Sequence, residues 1–97
     1  MCQIHIINRE TYNKNETEVI THLDNGDYQN DHGCSALFIQ ENGAHTLIQS
    51  LNWDIIRNVM ATNDEWETVF IHQRFTTQGE ANLMNTHMWR VGDFYYC

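Results

Sequence analysis

The chain has 97 residues, 41% of them apolar, and carries 13 acidic against 5 basic side chains for a formal net charge of −8. That length suits one small domain or a piece of a larger one. The charge excludes a nucleic-acid backbone as partner, since phosphate binding needs clustered basic residues and Arg9, Lys14, Arg57, Arg74 and Arg90 are scattered.

No apolar run approaches the roughly 20 residues of a membrane span, and no signal peptide is visible. Cys2, Cys34 and Cys97 are too few and too odd a set for a disulfide framework. The expected setting is therefore the reducing cytoplasm, with no membrane partner.

Taken in chain order, the β-branched stretch Gln3 to Asn8 reads as a strand. Asn15 to Leu23 spaces Val19, Ile20 and Leu23 as a helix does, with Asn15 as N-cap. Asp24 to Gly33 is rich in turn formers and reads as a loop. Cys34 to Gln40 is a second strand, and Glu41-Asn42-Gly43 a hairpin turn. Ala44 to Leu51 is the returning strand.

Asn52 to Ala61 places Trp53, Ile56, Val59 and Met60 on one side of a helix. Asp64, Glu65 and Glu67 read as a solvated helix-to-strand loop. Thr68 to Phe75 is a buried strand, Gly79 to Trp89 a polar loop, and Gly92 to Cys97 the start of another strand. Trp53, Trp66 and Phe70, with Phe94, Tyr95 and Tyr96, are expected in the core. Antiparallel strand signals mixed with two helices predict an α+β fold, with helices packed on one face of a sheet.

The chemistry concentrates in His72 to His87, HQRFTTQGEANLMNTH. Arg74 ends a strand before a polar loop, an arrangement suited to gripping a carboxylate bidentately. Thr76 or Thr77 can add a hydroxyl donor, and Gly79 allows close backbone approach. The plainer reading of Arg74 is a surface ion pair. Six histidines and three cysteines also raise a metal reading, with His32, Cys34, His72, His87 and Cys97 as candidates. No C-x2-C or H-x3-H spacing supports zinc. Asp24, Asp27 and Asp31 lack the full calcium-loop pattern.

Met1-Cys2 at the start, with H-x-R-x-x-T-x-G at His72 to Gly79 and N-x-H at Asn85 to His87, resembles the class II glutamine amidotransferases, which are N-terminal nucleophile hydrolases. DHGCSALFI, Asp31 to Ile39, resembles their Asp- and Gly-containing turn leading into a strand. The resemblance runs along the whole chain, 1–97. It implies an αββα sandwich and removal of Met1. Cys2 becomes the nucleophile, with its own α-amine as base (reference pKa roughly 7.7–8.0). Arg74, Thr77, Gly79 and His87 become glutamine-binding residues, with no cofactor and no metal.

The implied reaction is glutamine amide hydrolysis that supplies ammonia to a synthetase partner. Two departures stand out. Gln3 occupies the position after the nucleophile, where the family usually has glycine. The Asn-Gly pair that supplies the family's oxyanion hole would follow GDFYYC, so the expectation is an incomplete, N-terminal half of the domain. The alternative is a catalytically inactive split or truncated fragment, an interaction protein that needs a C-terminal partner fragment.

Overall fold

The computed structural model of the chain describes residues 3–29, 33–73, 89–91 and 94–96. In order these form β1 (Gln3–Asn8), α1 (Arg9–Lys14), α2 (Glu16–Gln29), β2 (Cys34–Gln40), β3 (His45–Ser50), α3 (Trp53–Thr62), β4 (Trp66–Gln73), β5 (Trp89–Val91) and β6 (Phe94–Tyr96). Four strands make one antiparallel sheet in the order β1-β4-β2-β3, and β5 pairs with β6 in a separate two-stranded sheet. The fold class is α+β, as the mixed pattern predicts.

Register explains which side chains meet the helices. Gln73 pairs with Gln3 and Cys34, Ile71 with His5 and Ala36, and Val69 with Ile7 and Phe38. Side chains alternate across a strand, so Val69, Ile71 and Gln73 share one face with His5 and Ile7 of β1 and Cys34, Ala36 and Phe38 of β2. Against it pack Tyr12 of α1, Leu23 of α2, and Trp53, Ile56 and Met60 of α3, forming the buried core around Trp66. The opposite face carries Ile4 and Ile6 of β1, Phe70 and His72 of β4, and Ser35 and Leu37 of β2. On that face Ser35 and His72 are buried, whereas Ile4 is 58% and Ile6 66% exposed. The run Cys34 to Phe38 is buried on both faces, which is why its sequence reads as continuously apolar.

The helix ends obey local chemistry. Asn52 caps α3, its side-chain oxygen accepting from Asp54 N at 3.0 Å. Asn8 caps α1 in the same way, accepting from Thr11 N at 2.8 Å. In the β2–β3 turn Gly43 N donates to Gln40 O at 3.0 Å and Gln40 N to Ala44 O at 2.7 Å. Gly43 sits at φ +88 with nothing near a Cβ built there, so the turn needs glycine for its backbone conformation alone.

A third helix joins the expected two, and three expectations need correction. Residues Arg9–Lys14 form α1, which has Tyr12 as its buried residue and is stabilised by its cap and the Lys14–Glu10 ion pair at 2.9 Å. Asn15 is the C-cap of α1; its carbonyl accepts from Val19 N at the start of α2, but its side chain donates back to Thr11 O. The expected loop from Asp24 is helical as far as Gln29, because tertiary contacts hold it: Trp53 Nε1 donates to Asp24 Oδ1 at 2.9 Å and Gln73 Nε2 to the Leu23 carbonyl at 2.8 Å. Finally, β4 starts at Trp66, which is the centre of the core, so Glu67 is an exposed strand residue and not part of a loop.

Trp89, expected in a loop, opens β5, while Phe94–Tyr96 lie within the expected last strand. The rest of the expected loop, 79–88, and the expected strand end at Arg74 and Phe75 lie outside the described residues.

Candidate functional site

The sequence points to the junction between the start of β1 and the end of β4. These strands run antiparallel, and their ladder closes with Gln3 opposite Gln73. Cys2 precedes Gln3 and Arg74 follows Gln73 in the chain. Cys2, Arg74, Thr77, Gly79, Asn85 and His87 themselves lie outside the described residues, as do His32 and Cys97. His72 is the described member of the motif, a buried strand residue at 2% exposure.

Three polar groups converge just inside this end. Gln73 is fully buried at 0% exposure. Its amide nitrogen donates to the Leu23 carbonyl of α2 at 2.8 Å, and its amide oxygen lies 3.0 Å from His5 Nε2. A carbonyl can only accept, so the Gln73 nitrogen must face Leu23 and its oxygen must face His5. His5 therefore carries its proton on Nε2. The His5 ring also meets His22 of α2 edge-on, with centroids 5.2 Å apart. Burial holds the His5 pKa below the usual histidine value; the Gln73 hydrogen bond opposes this and His22 reinforces it.

Beside this relay a cleft of about 460 Å³ opens between β1 and the helices α1 and α2. Ile7, Val19 and Leu23 give it an apolar floor, and His5, His22 and Glu18 give it polar walls. Sequence reasoning passed over this group. A signal existed: Gln73 continues the alternation of Val69 and Ile71, so a polar side chain enters the core at a strand end.

The metal reading fails for its described members. Cys34 pairs with Gln73, whereas His72 pairs with Ser35. Cys34 and His72 thus lie on opposite faces of the sheet and cannot share an ion. Among the described residues no three His, Cys, Asp or Glu side chains gather as a metal site. Cys34 is a buried thiol donating to Ser50 O at 3.4 Å, its pKa pushed up to about 12 by burial and by the Asp27 charge. It is an inert core residue.

The Asn-Gly pairs are also placed: Asn25-Gly26 lies within α2 and Asn42-Gly43 in the β2–β3 turn, neither at the β1–β4 junction. Among the described residues no helix is long and apolar enough to cross a membrane. No family model, curated protein or solved structure matches the chain.

Proposed function

We propose that the chain is a glutamine amide hydrolase element of the class II amidotransferase kind, with Cys2 as nucleophile. The observation that carries this reading is the Gln3–Gln73 pair at the end of the β1–β4 ladder. The nucleophile and the carboxylate-binding arginine expected from the sequence are each the next residue beyond that pair. The described residues that adjoin the two motifs in sequence are thus paired at one end of one sheet, which supports a shared site.

The chemistry follows from the residue types. With Met1 removed, the Cys2 α-amine is partly neutral at pH 7 and takes the thiol proton. The thiolate attacks the side-chain carboxamide carbon of glutamine, the C–N bond breaks, and ammonia leaves with the transferred proton. Water then cleaves the thioester to give glutamate and restore the thiol. Arg74 grips the substrate α-carboxylate in a planar fork, Thr77 and His87 add polar contacts, and Gly79 leaves room for close approach. The ammonia passes to a synthetase partner.

In the same reading, the four-stranded sheet with helices on one face is one half of an αββα sandwich. The exposed side chains of Ile4 and Ile6 on the outer face support a second layer there. A second reading has its own observation. β1 is an edge strand of the four-stranded sheet, and Ile4 and Ile6 are exposed on it. An inactive interaction protein whose edge is completed by a C-terminal partner fragment would look the same.

Intact-mass and peptide-mapping analysis of protein treated with a diazoketone analogue of glutamine separates the two. Glutamine chemistry requires loss of the Met1 mass and one adduct, on Cys2, suppressed by excess L-glutamine. Retained Met1, or alkylation that L-glutamine leaves unchanged, removes the hydrolase reading and leaves the interaction reading.

A further inference from the structure

We propose that Gln73 is a positioning residue, a buried two-ended clamp that fixes the end of β4 against both the start of β1 and helix α2. One end of its amide is held by the Leu23 carbonyl at 2.8 Å and the other by His5 Nε2–H at 3.0 Å. Leu23 is itself buried, and Gln73 is fully so. A primary amide is the one neutral side-chain group that offers a donor to a carbonyl and an acceptor to an imidazole N–H in one plane. Neither shortening the chain to Asn nor ionising it to Glu reproduces both contacts.

Three elements meet at this one group: β1 through His5, α2 through Leu23, and β4 through Gln73. The sheet ladder alone fixes β4 only relative to β1 and β2. The clamp adds the third direction, toward the helix layer. An unsatisfied buried amide is costly, so the three elements hold or open together. His22 and Glu18 of α2 stand on the other side of His5, along the cleft. The protonation state of His5 therefore bears on the clamp without breaking it, because Nε2 keeps its proton in both the neutral and the charged ring. The consequence for Arg74, the next residue in the chain, rests on the amidotransferase reading; the clamp itself does not.

Long-range proton–nitrogen NMR of the full chain tests it. Neutral His5 must show the Nε2–H tautomer. Gln73→Glu puts a carboxylate against the His5 ring and must raise the His5 titration midpoint, as direct contact between the two side chains requires. Gln73→Met keeps the volume and must speed amide exchange at His5 and Ile71 while leaving Asn8 and Thr68 protected. In the same Gln73→Met protein L-glutamine binding must weaken about tenfold.

An Nδ1–H tautomer for His5, or a midpoint unmoved by Gln73→Glu, overturns the clamp whatever the binding data show. Glutamine failing to bind the unmodified chain while the tautomer and the midpoint shift are as expected retains the clamp and rejects the amidotransferase reading.

Discussion

The β1–β4 ladder has two ends, and they are held by different physics. At the Asn8–Thr68 end the lock is aromatic and cationic. Trp66 is buried at 1% exposure, packs edge-on against Tyr12 at 5.3 Å, and donates through Nε1 to the Met60 carbonyl at 3.3 Å. Arg9 lies over its indole at 3.8 Å and donates to the carbonyls of Trp66 at 3.0 Å and Asn63 at 2.8 Å. At the Gln3–Gln73 end the lock is a neutral amide relay with a histidine in it. One end joins a large apolar surface to a planar guanidinium. The other uses a histidine whose pKa burial holds below the usual value. The first is built for permanence. The second rests on two neutral hydrogen bonds of one buried amide.

Breaking the strong end should cost most. Trp66→Ala empties the centre of the core, and its expected loss is about 3–5 kcal/mol. Chemical denaturation monitored by circular dichroism should find the protein largely unfolded. Arg9→Ala comes next, at about 1.5–3 kcal/mol for charged hydrogen bonds to two carbonyls. Arg9→Lys should recover only part of this, because lysine lacks the planar fork. Equal stability of the lysine variant and the parent would show that the charge alone matters there.

At the weaker end Gln73→Met should cost about 1–3 kcal/mol, the usual penalty for leaving buried polar groups without partners. The smallest effect is that of pH. Because the folded His5 pKa lies below its unfolded value, the neutral ring favours the folded state. That contribution is full above the unfolded value, near 6.5, and is lost as pH falls from there through the folded value. Unfolding midpoints measured between pH 8 and 5 should fall on the acid side, and His5→Gln should flatten that part of the curve. A slope unchanged in His5→Gln would assign it to another group.

How much of this was legible beforehand depends on the kind of force involved. α3 announces itself, since Trp53, Ile56 and Met60 repeat at helical spacing behind an Asn52 cap. The second half of α2 does not. DNGDYQ consists mostly of turn formers, and its helix is held by Trp53 and Gln73 reaching in from distant positions. α1 has Tyr12 as its buried residue, too little for a periodic pattern. The clamp was invisible for the same reason as α2: it joins residues 5, 23 and 73, which local sequence cannot relate. The residues that carry the proposed chemistry stood out through family resemblance, while the register that brings their neighbours together came only from the fold.

The most direct measurement is an L-glutamine titration of the uniformly labelled chain, followed by backbone amide shifts at both ends of the ladder. Glutamine chemistry at the β1–β4 junction requires saturable shifts centred on Ile4, His5, His72 and Gln73, with Asn8, Trp66 and Thr68 unmoved. Shifts centred on the Trp66 end, or none in a folded sample, would contradict it.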